Sequence, residues 1–190
     1  MTECKLEAVN YAPDWSKLEN LLPELKMFSD LAEKAKALIF IEKWRPELKP
    51  DIMKCYHEVG HASGNKCITQ YFTNHIVDAL LGITATYGIF SNYKYHHSGT
   101  GVGVESSANT ALGTPVGSRV VGTQINYAPS QYRSVGEITY DGDYTIAEHG
   151  LFNASTGDTL MDRTRLSSAQ VVHSGNKIIF TYTVTFVPGG

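Results

Sequence analysis

The chain has 190 residues, 42% of them apolar and 18% charged, and a formal net charge of −3. That length builds one domain with a full core, or one domain with a small appendage. So mild a charge excludes the basic surface of a nucleic-acid binder and the polybasic patch of a membrane-surface partner. No apolar run reaches the length needed to cross a bilayer. Three cysteines, Cys4, Cys55 and Cys67, form no disulfide framework, and the start MTECKLEAVN lacks the basic and apolar regions of a secretory leader. The expectation is synthesis in a reducing cytoplasm with free thiols. Lysine and glutamate crowd the first third, whereas Gly, Ser, Thr and Tyr dominate later. This shift points to two regions of different class.

Residues 1–13 show no clear period and are expected to be an extended arm. Asp14 is placed to cap a helix starting at Trp15, and Pro23 suits the first turn of another. Trp15, Leu18, Leu21, Leu22, Leu25, Phe28, Leu31, Ala32 and Ala35 recur at three- and four-residue steps, an amphipathic helical stripe. Residues 1–38 therefore form an arm and helix. Residues 39–82 are expected to hold a hairpin and a short helix. Ala37 to Arg45 reads as one strand, Pro46 and Pro50 bracket a loop, and Ile52 to Val59 reads as the return strand. The segment Thr73 to Leu81 reads as a helix with Ile76, Val77, Leu80 and Leu81 on its apolar face.

From residue 83 to 190 the pattern is β throughout. Strands are expected at Tyr87–Tyr95, Val120–Tyr127, Tyr132–Tyr140, Tyr144–Asn153, Thr159–Val172 and Lys177–Val187, separated by Gly-rich turns. The last is the clearest: Ile178, Phe180, Tyr182, Val184 and Phe186 share one face, with Thr181, Thr183 and Thr185 on the other. Strict alternation is the mark of a strand packed on a core by one face. The fold class expected is α+β, an N-terminal helical arm followed by a predominantly antiparallel β-sandwich.

Three stretches invite a chemical reading. His57-Glu58-Val59-Gly60-His61 matches H-E-x-x-H, in which two histidines one helical turn apart bind zinc and the glutamate activates water. Gly64 extends the match, and Cys67 stands where a third ligand belongs. The chemistry needs a helix at 57–61, yet Lys54 to His61 alternates as well as it coils. On a strand His57, Val59 and His61 share one face and Glu58 points away. The second stretch, His96-His97-Ser98-Gly99-Thr100-Gly101-Val102-Gly103, lacks the lysine and hydroxyl residue of a phosphate loop. It reads as a sheet corner, its paired histidines on opposite faces. In the third, Glu148 and His149 stand near Asp158, Asp162 and Arg163 with no nucleophile placed by spacing. Arg163 is expected to pair with a carboxylate across strands and fix the register.

Glu148, Gly150, Leu151 and Phe152, then Gly157, Leu160, Met161 and Arg163, then Gly175, Asn176 and Phe180 to Phe186, together resemble a set of small virion structural proteins of tailed bacteriophages. Tyr95 to Gly101 with Glu105, Thr110 and Leu112 is similar to a corner of that family, and Arg119 to Gln124 to one of its strands. The resemblance covers residues 95–188 well and residues 40–94 loosely. It implies a β-sandwich with an assembly role, no catalysis and no cofactor, and a strand and loop where HEVGH stands.

The resulting expectation is a virion component made in the host cytoplasm, most simply a capsid decoration or cement protein contacting the major capsid protein and associating with itself. Tail, fibre-base and head–tail connection roles are the nearest alternatives. Trp15, Leu18, Leu22, Leu25 and Phe28 are the expected intersubunit contacts. Two other classes stay open: a zinc hydrolase using His57, Glu58, His61 and Cys67, and a carbohydrate- or receptor-binding sandwich using Tyr127 to Tyr132.

Overall fold

The computed structural model describes residues 2–65, 67–82, 92–128, 131–157 and 160–186. Its strands are β1 (Thr2–Pro13), β2 (Tyr56–Asn65), β3 (Cys67–Ile68), β4 (Tyr95–Gly99), β5 (Pro115–Val121), β6 (Thr123–Ala128), β7 (Gln131–Thr139), β8 (Tyr144–Phe152), β9 (Leu160–Val172) and β10 (Lys177–Phe186). The helices are α1 (Trp15–Leu21), α2 (Leu31–Trp44), α3 (Lys49–Met53) and α4 (Gln70–Leu80). Two antiparallel sheets form, sheet A in the order β2-β1-β10-β7-β6 and sheet B in the order β3-β9-β8-β4-β5. The fold is α+β with a sandwich-like arrangement, as the composition and alternation predict.

The alternation of β10 translates directly into burial. Ile178, Phe180, Tyr182 and Val184 are buried between the sheets, while Thr181, Thr183 and Thr185 face outward. Leu6, Ala8, Ala62, Ile138, Tyr140, Ile146, Leu166 and Val172 complete the main core with Ile178 and Phe180. The sandwich is closed at both sides by strands that change sheet. One residue separates β2 in sheet A from β3 in sheet B, and Gly122 alone separates β5 in sheet B from β6 in sheet A. A chain that crosses between sheets covers an edge that would otherwise stand open.

Residues 2–13 are the first correction. They form β1, which lies inside sheet A paired on both sides, with Leu6 opposite Tyr182 and Ala8 opposite Ala62. A short alternation marks it: Leu6 and Ala8 are buried, while Lys5 and Glu7 point out and pair at 2.6 Å. Asn10 interrupts that pattern because its buried side chain donates to the Val171 carbonyl at 2.9 Å.

The strand expected at Ala37 to Arg45 is instead the second half of α2. Asp30 caps that helix by accepting from the Glu33 amide at 3.2 Å, and Ala35 and Leu38 bury its inner face. Ile52 and Met53 close α3, so the return strand begins only at Tyr56. Helices α1 to α3 thus form a cap inserted between β1 and β2. Its core is Leu18, Leu22, Leu25, Leu38, Ile52 and Cys55, with Trp15 packed against it. Leu18, Leu22 and Leu25, expected to meet a partner subunit, are buried inside the chain and have no surface to offer one; Phe28 is half-buried. The cap is anchored to sheet A by Lys177, fully buried beside the Tyr56 ring and ion-paired to Glu42 of α2 and, at 3.2 Å, to Glu137 of β7.

Helix α4 starts earlier than expected. Thr69 caps it, accepting from the Phe72 amide at 3.4 Å while its hydroxyl donates to the Leu160 carbonyl at 2.5 Å. The side chains it buries are Phe72 and His75, whereas Val77, Leu80 and Leu81 are exposed. The buried face is that of Phe72, His75 and the partly buried Ile76, so of the predicted apolar face only Ile76 meets the core. Residues 83–91, which include most of the strand expected at Tyr87–Tyr95, and residues 158 and 159 lie outside the described residues, whereas Tyr95 opens β4.

Leu25→Ala is expected to cost about 2–5 kcal/mol in urea unfolding, because it opens a cavity in the cap core. The exposed Phe40→Ala, on the outer face of the same cap, is expected to stay within about 0.5 kcal/mol of wild type.

Candidate functional site: a buried polar seam and a clamped loop

Strand β8 is buried on both faces, which a sandwich alone does not explain. Its inner face packs on sheet A, and its outer face is covered by the loop of residues 100–114. Glu148 and His149, neighbours in sequence, therefore point into two different polar clusters.

Glu148 holds the loop. Its carboxylate accepts from the amides of Gly101 at 3.1 Å, Gly113 at 3.1 Å and Thr114 at 2.8 Å. Arg163, placed opposite Gly150 on β9, reaches diagonally and donates from Nε to the same carboxylate at 2.7 Å. The guanidinium then donates to the carbonyls of Val104 at 3.1 Å and Gly103 at 3.3 Å and to Asn109 Oδ1 at 3.3 Å. Glu105 turns back to accept from the Arg165 amide. Beneath these bonds Leu112 packs on Phe152 and Leu160, and Arg119 lies over the Phe152 ring while donating to the Ala154 and Gly157 carbonyls. A Cβ on Gly101 would stand 2.3 Å from Glu148 Oε1, so only glycine lets the loop backbone come this close. The cross-strand role expected of Arg163 is what the structure contains; the larger role, as the loop's cation, depends on the fold.

Burial alone would raise the Glu148 carboxyl, but the Thr114 and Gly113 amides and Arg163 outweigh it and hold it below its ordinary value. The buried pair is therefore ionised at neutral pH and fully hydrogen-bonded, the condition under which such a pair is tolerated.

His149 faces the other way. It stacks on Phe180 with ring centres 4.4 Å apart, and its Nε2 lies 3.0 Å from His96 Nδ1. His96 Nε2 in turn lies 2.8 Å from Ser134 Oγ on β7. Two residues along β4, Ser98 Oγ meets the Tyr140 hydroxyl at 2.9 Å. Both connections run from sheet B to sheet A. Gly136 makes the space: a Cβ there would stand 2.4 Å from the His96 ring. The order serine, histidine, histidine is that of a nucleophile, its base and an orienting group. Ser134, His96 and His149 are all fully buried, so no substrate reaches the hydroxyl, and the array acts as a polar bolt between the sheets. Spacing does not reveal it, since three strands from two sheets bring together positions 96, 134 and 149.

His97, on the opposite face of β4 as expected, bonds the Gly117 carbonyl through Nε2 at 3.1 Å. Burial pushes its imidazole below the ordinary value of 6.5.

The HEVGH stretch is not helical. It lies on β2 with His57, Glu58, Val59 and His61 exposed, and the register slips between Gly60, opposite Asn10, and Glu58, opposite Tyr11. Val59 is the extra residue of a bulge. As a result His57 stands opposite Ala12 and His61 opposite Val9, positions of opposite parity on β1, so the two histidines leave from opposite faces. Four residues of strand also separate them by about 13 Å, far beyond the reach of one zinc ion. Cys67 pairs through its backbone with Arg163; its side chain lies outside what is described. Among the described residues no three His, Cys, Asp or Glu side chains gather as a metal site. Asp158 also lies outside the described residues.

On the outer face of sheet A, Lys5, Glu7, Gln131, Arg133, Thr181, Thr183 and Thr185 line a shallow depression of about 270 Å³. It has no aromatic wall for a sugar to stack on. Of the segment Tyr127 to Tyr132, residues 129 and 130 lie outside the described residues, and the Tyr132 hydroxyl is turned inward to the Tyr93 carbonyl. No described helix is long and apolar enough to cross a membrane.

The fold and clusters define a closed antiparallel sandwich with a helical cap and one firmly held loop. Comparison with protein-family models, with curated proteins and with solved structures finds no match.

Two outcomes are expected from this geometry. Arg163→Ala, which leaves Glu148 buried without its cation, should lose about 3–5 kcal/mol in urea unfolding. Stability should also fall in two acid steps. The unfolded chain protonates at His97 first as pH drops below 6.5, because the folded value is lower, so stability declines from there. Below 4.5 the Glu148 contribution, complete at higher pH, is lost as pH falls through its depressed folded value. Urea titrations across this range should show His97→Gln flattening the first step and Glu148→Gln the second.

Proposed function

We propose that this chain is a structural component of a tailed-phage particle, most simply a capsid decoration or cement protein that binds the major capsid protein and associates with copies of itself. One observation carries the reading. Seven of the residues through which the sequence resembles that family, scattered from Gly101 to Arg163, meet in a single unit of this fold, while Met161, Phe180, Tyr182 and Val184 lie in the cores between the sheets. Gly101, Glu148 and Arg163 make the loop clamp, Leu112, Gly150 and Phe152 pack beneath it, and Arg119 closes its side.

The clamp also suits an assembly role. It holds a loop whose Val102 and Val104 are 68% and 84% exposed, so apolar side chains are presented on a fixed backbone. Contact residues ordered in advance lose less entropy when a partner binds. The other surface on offer is the cap, where Phe40 and Trp44 are exposed beside each other. These groups replace Leu18, Leu22 and Leu25 as the residues favoured for intersubunit contact. Tail, fibre-base and head–tail connection roles use the same features and differ only in location. The zinc-hydrolase alternative has no support in the backbone at 57–61.

Location is the test. Peptide mass mapping of purified particles should find the chain at stoichiometric copy number, and immunogold labelling should place it on the head. Tail labelling would move the sub-role, and absence from every particle would overturn the reading. For the hydrolase alternative, Glu58→Gln is expected to leave unfolding unchanged and metal analysis to find no stoichiometric zinc.

A further inference from the structure

Helices α1 to α3 join the sandwich at two points, Pro13–Asp14 and Cys55–Tyr56, and the Asp14 amide donates to the Cys55 carbonyl at 2.7 Å to hold them together. Between these points the chain builds its own core. Leu18, Leu22, Leu25, Leu38, Ile52 and Cys55 share no member with the cluster that includes Leu6, Ile146 and Phe180 between the sheets. The three helices pack on one another through the 3-10 turns Pro23–Met27 and Pro46–Leu48.

The boundary between cap and sandwich is of another kind. Trp15 lies against Gly175, where a Cβ would stand 2.5 Å from its ring, and Ser174 Oγ donates to the Leu31 carbonyl at 3.4 Å. The fully buried Lys177 is shared by both parts: Glu42 comes from α2 of the cap and Glu137, at 3.2 Å, from β7 of the sandwich. Lys49 of the cap pairs with the same Glu137 at 3.1 Å. Parting two apolar faces returns nothing to the separated groups, whereas parting ions returns their hydration and offsets part of the cost. An ionic boundary therefore opens more readily than the core between the sheets.

We propose that the cap is a separately opening unit, latched by Lys177 and Glu42, that unfolds while the sandwich stays closed. A segment of about 40 residues buries too little apolar surface to stay folded once detached, so opening and unfolding are one event. The sandwich does not follow, because β1 is paired on both sides and β2 along β1. Opening releases the leucine stripe of Leu18, Leu22 and Leu25, which the closed cap keeps out of reach. Whether that stripe is buried or offered is thus set by the latch. The particle reading above is not needed for this, and its failure would leave the latch standing.

Native-state hydrogen exchange of the full chain in rising urea tests this. The amides of α2 from Ala35 to Ile41 should exchange through an opening of lower free energy and weaker urea dependence than those of β8 and β10. Glu42→Gln should speed α2 exchange about tenfold or more, since Lys177 loses a charged partner. Ile146→Val, in the core between the sheets, should speed exchange in β8 and β10 severalfold and leave α2 unchanged. The wild-type comparison needs no variant to fold. One free energy and one urea dependence shared by α2, β8 and β10 would overturn the proposal. So would α2 exchange indifferent to Glu42→Gln, or quickened by Ile146→Val as much as the strands are.

Discussion

A buried carboxylate is an expensive thing to keep, and the outer half of this structure is arranged around keeping one. Glu148 is charged, inaccessible to water and satisfied by three amides and one guanidinium. Each donor has its own requirement. The amides are presented only if residues 100–114 fold back over β8, which needs glycine at 101. The guanidinium arrives only if β9 is in register, with Arg163 opposite Gly150. Removing any one donor leaves charge uncompensated in a dry site, so loop, register and ion pair stand or fall together.

The same strand carries the second constraint through its other face. His149, His96 and Ser134 join the sheets through hydrogen bonds that a purely apolar sandwich lacks. Apolar packing sets how closely two sheets approach, but it is tolerant of sliding. A directional chain from β8 through β4 to β7 is not, and with Ser98 and Tyr140 it fixes one alignment. The triad-like order of groups is a consequence of this bridging. Without access it has no chemistry to perform, and stability is the property it serves.

Assembly follows from what these constraints leave outside. The cap, inserted between β1 and β2, consumes its leucine stripe internally and still exposes Phe40 and Trp44. The loop shows valines on a held backbone. These two surfaces are the ones that the proposed assembly role would use. The H-E-x-x-H stretch stands apart, since its residues are of the right type and a bulge sends its histidines to opposite sides.

Much of the sandwich was legible in residue order, because one-sided burial imposes period two and β10 obeys it from Ile178 to Val184, failing only at its ends, where Lys177 is buried and Phe186 exposed. The strand positions at 132–140, 144–153, 160–172 and 177–186 follow from that period and from glycine turns, whereas the single strand expected at Val120–Tyr127 is broken at Gly122 into the end of β5 and β6 of the other sheet. The cap was legible only in part: Asp14 and the leucine stripe mark a helix, but Ala37 to Ile41 suits a strand equally well. There the Asp30 cap and the packing of Leu38 on Leu18 and Leu25 decide. The charged outer face and the buried asparagine of β1 hid it until pairing with β2 and β10 showed which face was inner.

Local sequence determined most strands of the later sandwich, their turns and the pairing role of Arg163, since each depends on neighbours within a few residues or on one cross-strand contact. Only the tertiary structure decided the site. Glu148 and His149 are adjacent in sequence yet serve opposite faces, and their partners come from positions 101, 113, 114 and 163 on one side and 96 and 134 on the other. No periodicity records contacts between sheets, because those distances are set by how layers stack rather than by how the chain repeats.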